Sequence, residues 1–380
     1  MIMRCIDTVP EVDLRGKRVL VRAGFDVPLD ARGEVSDLFR VKRGVMTLSY
    51  LHDLGAKIIV LSHIGRELTD TNAPVSRALS HHIPLTYIPD LLGGMAQTAI
   101  SAMREGDILM LENLRRDPRE VANDDAFAQE LALCGDVYVD DAFSAMHRAH
   151  TSIVGIPKFL PSYVGLLARD EIRSLSLART PVQPSIAILG GSKFETKQPL
   201  VGELLKRYDQ LFLTGALAND VYKAKGYPTG KSLISKQLPA KEVLAHPHFL
   251  APIDVTVVGA DSQARVKKPS SVGTEDMIVD IGPDSLALVA AHLEQAKFIL
   301  WNGPTGIYEQ GFAHYTHAIA AMVAKRVAAG AQAVIGGGDT AAAIEGSGIS
   351  FETLGFVSTG GGAMLDYLLH GTLPGIEALA

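Results

Sequence analysis

Short runs of apolar, largely β-branched residues alternate along the chain with longer stretches of helical spacing. The runs are KRVLVRA, AKIIVLSH, DILMLEN and DVYVDDAF in the first part, then SIAILGG, DQLFLTG, DVTVVGA, KFILWNG, QAVIGGG and FVSTGGG. Between the runs, stretches such as FRVKRGVMTLSYLHDLG and HAIAAMVAKRVAAGA carry apolar residues at the spacing of amphipathic helices. This alternation predicts an α/β fold with mostly parallel sheets covered by helices on both faces.

The number of strand-like runs predicts two domains. Ten runs are too many for one compact sheet, and 380 residues are enough for two ordinary hydrophobic cores. A boundary is expected where GIPKFLPSYVG leads into the charged, helix-like ARDEIRSLSLA. We therefore predict an N-terminal domain over 1–165 and a C-terminal domain over 166–365.

Composition narrows the class of protein. A net charge of −6 gives no general attraction to nucleic acid or to anionic membrane, so any anion site must be a local cluster. Cys5 and Cys134 lack metal-ligand spacing and suit a reducing compartment. The N-terminus does not resemble a signal peptide, and no uncharged apolar run reaches the ~20 residues that span a bilayer. We expect a cytoplasmic protein without a nucleic acid or membrane partner.

Residues at the strand ends differ between the two halves. Ligands of open parallel sheets lie at the carboxyl ends of strands. Cations follow the first-half strands: Arg22, His63, Arg66, Arg115, His147, Arg148 and His150. Glycine-rich loops follow the second-half strands: GGSK at 190–193, TG at 214–215, NGPTG at 302–306, GGGDT at 336–340 and STGGG at 358–362. Guanidinium groups suit a small, highly charged anion, whereas glycine loops suit a larger ligand with a phosphate chain. Two ligands, at least one of them a nucleotide, satisfy both halves.

The segment VIGGGDTAAA shows how such a loop could work. Val334 and Ile335 are typical of a strand end, the alanines of a helix start, and Gly336–Gly338 of the joint between them. The free N–H groups of the helix start can bind a phosphate that a Cβ would block. A tight turn that only packs helix on sheet explains the same residues equally well.

Other patterns favour structural roles. GYPTGKS at 226–232 has three residues between its glycines, where a phosphate loop needs four, and we expect Lys231 to be solvated. No strand is followed by G-x-G-x-x-G. Arg22 is interpreted as pairing with a carboxylate, and His147 and His150 as buried hydrogen-bonding residues. Asp140 and Asp141 suit a strand end or a helix cap better than a catalytic pair, and Asn219 with Asp220 suits a helix cap and first turn.

Ten ordered segments of the chain resemble the phosphoglycerate kinase family: VLVRAGFDVPL, SHIGR, LENLR, DAFSAMHRAH, LGGSKFETK, YKAKGYPTGKSL, DIGP, WNGPTGIYE, IGGGDTAAA and STGGGA. The resemblance runs from about Lys17 to Gly375. It implies two similar Rossmann-like domains joined by a hinge helix, with the last residues, about 366–380, packing back on the first domain. It also implies a monomer that converts 1,3-bisphosphoglycerate and ADP to 3-phosphoglycerate and ATP with Mg²⁺.

The resemblance assigns roles residue by residue. In the first domain it implies that Arg40 reaches the transferring phosphoryl group. The acid substrate is held by the residues Gly24, Phe25, Asp26, His63, Arg66, Arg115 and Arg148. In the second domain it implies that Lys193 acts on the moving phosphoryl group and that Asp339 serves the metal. The nucleotide is held by Lys197, Gly215, Asn302, Glu309, Gly337, Gly338 and Thr340, and Gly361 and Gly362 provide further backbone donors, with Gly338 and Gly361 also assigned to catalysis.

The chain departs from the family pattern after its first strand. The family's segment usually reads V-D-F-N, whereas here Ala23-Gly24-Phe25-Asp26 moves the carboxylate by two positions. Asp26 either accepts a hydrogen bond from the substrate hydroxyl or repels an anionic ligand.

Two alternative functions remain. One is a non-catalytic or altered-substrate nucleotide-binding relative, to which the changed segment points. The other is a nucleotide-dependent dehydrogenase, which the missing fingerprint and the arginines disfavour.

Overall fold

The computed structural model describes residues 4–191 and 194–380. Its strands are Arg18–Ala23 (β1), Lys57–Leu61 (β2), Thr86–Tyr87 (β3), Ile108–Met110 (β4), Val137–Asp141 (β5), Ser162–Val164 (β6), Ser185–Leu189 (β7), Gln210–Leu213 (β8), Phe249–Leu250 (β9), Val255–Val258 (β10), Ala264–Lys267 (β11), Met277–Ile281 (β12), Phe298–Asn302 (β13), Gln332–Gly336 (β14) and Phe356–Val357 (β15). Its α-helices are Glu11–Leu14 (α1), Phe39–Asp53 (α2), Ala73–Ser80 (α3), Gly94–Ser101 (α4), Arg119–Ala122 (α5), Asp125–Ala132 (α6), Leu166–Arg179 (α7), Phe194–Arg207 (α8), Ala216–Ala224 (α9), Lys241–Leu244 (α10), Pro283–Leu293 (α11), His314–Ala328 (α12), Gly338–Glu345 (α13), Gly361–His370 (α14) and Pro374–Ala378 (α15).

The described chain divides into two compact units. The first takes in the chain as far as Arg173 together with His370–Ala380, and the second takes in Ser174–Leu369. Within the first unit the N–H of Gly375 donates to the carbonyl of Met146 at 2.9 Å. The end of the chain is thereby attached to the loop that follows β5.

A parallel sheet forms the centre of the first unit, and its described strands have the order β3-β4-β2-β1-β5-β6. The chain proceeds outward from β1 through β2 and then returns to place β5 on the other side of β1. The point where the direction reverses therefore lies between β1 and β5, where Ala23 is level with Asp141. Ligands of such sheets bind at this point, beyond the carboxyl ends of the strands.

Helix α2 illustrates how the first core is packed. Its buried residues Val41, Thr47, Leu48 and Leu51 recur at helical spacing on the face toward the sheet. A Cβ on Gly44 would lie 2.4 Å from the ring of Phe25, so glycine is needed for that ring to pack on the helix. Phe25 is fully buried as a result, and its ring anchors the loop after β1 to α2.

Asp140 and Asp141 end β5 and are buried. Asp140 Oδ1 accepts from the N–H of Ala142, and Asp141 Oδ1 accepts from the N–H of Ala168 in the first turn of α7, each at 3.0 Å. Burial raises the pKa of each carboxyl to about 7. The expectation of a strand-end role is confirmed for both residues.

A second parallel sheet forms the centre of the second unit, with its described strands in the order β15-β14-β13-β7-β8-β9. The direction of the chain reverses between β7 and β13. The backbones that leave these two strands approach closely, since a Cβ on Gly190 would lie 2.5 Å from the carbonyl oxygen of Pro304. This is the edge at which the sequence predicts glycine loops.

The described part of the second unit also contains a small antiparallel sheet of order β11-β10-β12. The run DVTVVGA forms β10 of this sheet and is not one of the parallel strands. A small apolar cluster joins this sheet to α9 through Ala218, Tyr222, Val255, Val257 and Ile278. In the part of the chain that the structure describes, we find no helix with the length and apolar character needed to cross a membrane.

Candidate active site

His63 connects a buried arginine to a carboxylate at the sheet edge. Arg22 lies within β1, is fully buried, and donates through Nη2 to Nδ1 of His63 at 2.5 Å. A guanidinium can only donate, so the ring proton of His63 is on Nε2, which faces Oδ2 of Asp26 at 3.6 Å. Burial, followed by the charge of Arg22, lowers the pKa of His63 to about 3. His63 is therefore a neutral hydrogen-bond donor at neutral pH.

Asp26 is held as an anion at this edge. Burial by itself would raise the pKa of Asp26, but the neighbouring Nε2–H of His63, the N–H of Gly65 and the charge of Arg115 together lower it to about 2. The Gly65 N–H donates to Oδ1 of Asp26 at 3.0 Å. The structure therefore places a fixed negative charge beside the predicted cradle for an anionic substrate.

Two of the predicted arginines of the first unit, Arg40 and Arg115, lie beside this pair. Arg40 Nη1 donates to the carbonyl oxygen of Asp26 at 2.6 Å, and Arg115 Nη1 donates to the carbonyl oxygen of Gly65. Burial, followed by the charge of Arg148, lowers the pKa of Arg115. Arg66 follows Gly65 and is exposed. We call Arg40, Arg66, Arg115 and Arg148 the arginine cluster.

A buried network lies beneath the arginine cluster. Arg22 Nε donates to Oγ of Ser152 at 2.9 Å, and that hydroxyl donates to Oε1 of Glu120 at 2.6 Å. Among the described residues Arg22 makes no direct ion pair with a carboxylate, contrary to the sequence interpretation, and it reaches Glu120 only through Ser152. Burial, followed by the charge of Arg22, lowers the pKa of His150 to about 4. Glu120 and Ser152 carry no sequence signal, because their role depends on Arg22, which lies far earlier in the chain.

Asn113 ties together the loops that follow β2 and β4. Its side chain is fully buried, and Nδ2 donates to the carbonyl oxygens of Ile64 at 2.8 Å and Asp70 at 3.0 Å. Its Oδ1 accepts from the N–H of Arg115 at 3.0 Å. One amide therefore fixes the backbone on both sides of Arg66 and the backbone of Arg115.

The glycine-rich loop of the second unit is a strand-to-helix joint, as predicted. β14 ends at Gly336, Gly337 has a φ of 96°, and α13 begins at Gly338, three residues earlier than the alanine run suggests. Thr340 is buried, accepts from the N–H of Gly303 at 2.6 Å and donates to the carbonyl oxygen of Gly336 at 2.8 Å. The hydroxyl of Thr340 therefore holds this loop against the loop that follows β13.

Open space surrounds the helix starts of this unit. Apart from the chain neighbours and the nearby backbone of the same helix, no described atom lies within 4 Å of the position that a Cβ would take on Gly338 or on Gly361, the first residue of α14. Asn302, by contrast, is buried and lies beneath Gly337, whose Cβ would be 3.2 Å from its Nδ2. Gly338 and Gly361 are thus accessible to a ligand, while Asn302 and Thr340 support the loop from inside.

Lys197 lies beside the same edge. Its Nζ donates to the carbonyl oxygen of Gly190 at 2.5 Å. Burial lowers the pKa of Lys197 to about 8, opposed by the charge of Asp339. Lys193, the other predicted lysine of this loop, lies outside the described residues.

A cavity of about 480 Å³ opens between α9, the antiparallel sheet and the loop after β13. The residues predicted for the nucleotide that line it are Gly215, Glu309 and Asp339. Asn219 also lines it, and its position corrects the sequence interpretation: α9 begins at Ala216, so Asn219 and Asp220 are in its interior and are not its cap. Among the described residues, no three His, Cys, Asp or Glu side chains form a metal site.

Comparisons with known proteins agree with this arrangement. The family model described as phosphoglycerate kinase matches residues 9–371. Curated phosphoglycerate kinases from Synechococcus sp. and from Moorella thermoacetica are 38% and 39% identical, over 97% and 98% of this chain and 96% and 98% of theirs.

Solved structures are similar throughout their length. That of phosphoglycerate kinase from Coxiella burnetii has a TM-score of 0.82 and 32% identity, covering 100% of this chain and 99% of that one. That from Pyrococcus horikoshii has a TM-score of 0.84 and 27% identity, covering 99% and 98%. The resemblance carried by the ten segments is confirmed, and the chain belongs to the phosphoglycerate kinase family of transferases.

Proposed function

We propose that the protein transfers a phosphoryl group between 1,3-bisphosphoglycerate and MgADP, giving 3-phosphoglycerate and MgATP. One observation carries the proposal. The arginine cluster lies at the direction-reversal point of the first sheet, and accessible glycine N–H groups lie at the corresponding edge of the second sheet. These are the two chemistries that a small polyanion and a nucleotide require.

The arginine cluster binds the acid substrate in this proposal. Arg66, Arg115 and Arg148 hold its phosphate and carboxylate oxygens, and Arg40 contacts the transferring phosphoryl group. His63 contributes a neutral N–H that Arg22 and Ser152 hold in orientation from below. The mutual repulsion of Arg115 and Arg148 favours an anion between them, because it is relieved when the substrate binds.

The second unit binds the nucleotide. The backbone N–H groups of Gly337, Gly338 and Gly361 and the ammonium of Lys197 hold the phosphates, and Glu309 holds the ribose hydroxyls. Asp339 is exposed in the first turn of α13, at the edge of the cavity. Mg²⁺ is commonly bound by one or two carboxylates together with substrate phosphates and water. A single carboxylate at this position therefore fits an ion that arrives with the nucleotide as MgATP or MgADP.

The chemistry requires no general base. The acceptor is a carboxylate or a phosphate oxygen, and both are already ionised at neutral pH. What the protein must supply is in-line positioning and positive charge around the transferred oxygens, with water excluded. We propose that Arg40 and Lys193 supply that charge when the two units close on their ligands, and that the protein acts as a cytoplasmic monomer.

A coupled assay tests this function. ATP consumption in the presence of 3-phosphoglycerate and Mg²⁺ is expected, with no change in nicotinamide absorbance in the absence of the coupling enzyme. Binding of MgADP without transfer would instead support a non-catalytic or altered-substrate relative, which the charge of Asp26 makes a specific alternative. Failure to bind either ligand would refute the proposal.

The role of Arg40 has its own test. Arg40→Ala should lower kcat by about 10²–10³-fold, as removal of one transition-state donor does, and should leave the Kd for MgADP nearly unchanged. Arg77→Ala is the matched control, because Arg77 pairs with Glu34 on the surface of the same unit. Near-normal turnover in Arg40→Ala would contradict the assignment.

A further inference from the structure

We propose that Glu120, a buried residue of α5, is a positioning residue for the acid substrate and acts through a chain of contacts that ends beside Arg66. The inference rests on the proposed function in one respect, namely that the loop with Arg66 helps to hold that substrate. We call this chain of contacts the relay, and its members in order are Glu120, Ser152, Arg22, His63 and Asp26.

Glu120 has a fixed place in the interior. It is fully buried, and its carboxylate accepts twice from Ser152, at Oε2 from the backbone N–H at 2.9 Å and at Oε1 from the hydroxyl at 2.6 Å. The same two segments are joined again where the hydroxyl of Thr151 donates to the carbonyl oxygen of Arg119 at 2.7 Å. The direction of the Ser152 hydroxyl is therefore determined by the position of Glu120.

Arg22 carries this position to His63. Its Nε donates to the hydroxyl oxygen of Ser152 at 2.9 Å, and its Nη1 donates to the carbonyl oxygen of Ala23 at 2.6 Å. A guanidinium is planar, so two anchored N–H groups also fix the direction of the third. That third group, on Nη2, donates to Nδ1 of His63 at 2.5 Å. The imidazole ring is thereby placed from below.

The relay leaves the interior at Asp26. The side chain of His63 is 3% exposed and that of Asp26 is 41% exposed, and Nε2 of the ring faces Oδ2 of the carboxylate at 3.6 Å. The other oxygen of Asp26 accepts from the N–H of Gly65 at 3.0 Å. The carbonyl oxygen of Gly65 accepts in turn from Arg115. A shift of Asp26 therefore displaces the backbone next to Arg66 and one contact of Arg115.

Solvent does not repair a break in the relay. Glu120, Ser152 and Arg22 are fully buried, so water does not reach the hydrogen bonds between them, and the groups must move to recover a lost one. Such a movement changes how the substrate is held before and during transfer alike. Loss of an interaction of this kind raises KM and leaves kcat nearly unchanged.

Glu120→Asp tests the inference. The substitution keeps the charge and withdraws the carboxylate from Ser152 by one methylene. Steady-state kinetics should show a KM for 3-phosphoglycerate that is raised about fivefold, the effect of one hydrogen bond, with kcat and the KM for MgATP nearly unchanged. A purely structural role of Glu120 would lower the melting temperature and the fraction of active protein without changing either KM, and that result would overturn the inference.

A double-mutant cycle with His63→Ala shows whether the effect passes through His63. His63→Ala should itself raise the KM for 3-phosphoglycerate. Glu120→Asp should raise it no further in that background, because the relay is already interrupted. An equal fold-increase in both backgrounds would contradict the relay. Ser152→Ala interrupts the relay one contact later and provides the same cycle if Glu120→Asp does not fold.

Tyr138→Phe and Glu130→Asp are the matched controls. Tyr138 is buried and donates to the carbonyl oxygen of Ser152 at 2.5 Å, so its replacement weakens the same segment without interrupting the relay. Glu130 pairs with Arg119 at 2.9 Å on the surface and receives the same substitution as Glu120. Both variants should keep the KM of the unmodified chain for 3-phosphoglycerate.

The outcome for the relay is distinguishable from that for the proposed function. Turnover of 3-phosphoglycerate by the unmodified chain, with the same KM in Glu120→Asp and Ser152→Ala, would refute only the role of Glu120. Absence of turnover and of 3-phosphoglycerate binding in the unmodified chain would refute the proposed function itself.

Discussion

Nε2 of His63 faces Oδ2 of Asp26 at 3.6 Å, while Nδ1 of the same ring accepts from buried Arg22. The two contacts fix the tautomer of His63 and hold its proton on the side of Asp26. Asp26 stays ionised, since its pKa is lowered to about 2 by His63, Gly65 and Arg115 against the effect of burial. A permanent anion thus stands at the edge where the arginine cluster is expected to receive a substrate of the same sign.

Asp26→Asn should tighten the binding of 3-phosphoglycerate. The substitution removes a negative charge beside the ligand and keeps an oxygen that can accept from His63. Because the Asp26 side chain is 41% exposed, the dielectric constant of bulk water applies, and at about 4 Å one charge contributes ~1 kcal/mol, enough to change affinity by about fivefold. Steady-state kinetics should show a lower KM for 3-phosphoglycerate and an unchanged KM for MgATP, with a smaller difference at high salt.

Asp30→Asn provides the control for this experiment. Asp30 lies in the same loop and its side chain accepts from the N–H groups of Arg32 and Glu34 on the surface, so the variant changes net charge without changing the site. If Asp26→Asn leaves the KM unchanged or raises it, the carboxylate does not repel the ligand, and a hydrogen bond to the substrate hydroxyl becomes the better explanation.

Local patterns were sufficient to predict most of the fold. Runs such as KRVLVRA and KFILWNG form strands because their β-branched residues are buried between helices, and the glycines after them lie at the predicted edge. The strands β3, β6, β9, β11 and β12 were not predicted. The first three have only two or three residues, which are too few to show periodicity, and β11 and β12 belong to the small antiparallel sheet. DVTVVGA was not separable from the parallel strands, because pairing direction depends on the partners and not on the run itself.

The site was predictable only where one residue type determines the chemistry. Arginines and glycines after strands show their chemistry directly, and the structure places them at the expected edges. The environment of Asp26 was not predictable, because His63 is 37 positions away in the chain. Asn219 was misread for a similar reason: an Asn–Asp pair commonly caps helices, but here the helix has already begun and tertiary packing buries the amide.

Lys197 should make nucleotide binding depend on pH. Burial lowers the pKa of its ammonium to about 8, so the free protein loses this positive charge as the pH rises through that value. The Kd for MgADP should therefore increase between pH 7 and pH 9. Lys197→Arg should remove most of this slope, because a guanidinium stays charged over the whole range.

Lys206→Arg is the control for the pH series. Lys206 is paired with Glu203 on the surface, and its replacement should leave the slope intact. A Kd that stays constant from pH 7 to pH 9 in the unmodified protein would show that Lys197 remains protonated or does not contact the phosphates.

Asp141 should make stability fall as pH rises. Burial raises its pKa to about 7 in the folded chain, against about 3.9 in an unfolded one. The folded state binds the proton more tightly, so this contribution is complete below pH 4 and is lost as the pH rises to 7. The unfolding free energy of Asp141→Asn, relative to that of the unmodified protein, should therefore increase by about 2–4 kcal/mol from pH 5 to pH 8. Urea titrations at pH 5 and pH 8 measure this change in unfolding free energy. The control is Asp13→Asn, which changes an exposed carboxylate and should show no such pH dependence.

Gly24 and Ser144 should behave as a coupled pair. A Cβ on Gly24 would lie 2.9 Å from Oγ of Ser144 and 3.5 Å from Cα of Ala142, so the serine hydroxyl occupies the space that a side chain at position 24 would need. Gly24→Asp, which restores the aspartate typical of the family segment, should therefore destabilise the chain by about 1–3 kcal/mol through overpacking. Ser144→Gly alone should cost less than that, because it removes a partly exposed hydroxyl.

The double variant Gly24→Asp with Ser144→Gly decides whether the contact is the cause. Removing the hydroxyl opens the space for the new carboxylate, so the double variant should be more stable than the sum of the single changes predicts, by about 1 kcal/mol or more. Urea midpoints at constant slope measure each corner of the cycle. If Gly24→Asp costs the same with serine or glycine at position 144, the destabilisation comes from burying a charge beside Ala142 and not from the hydroxyl.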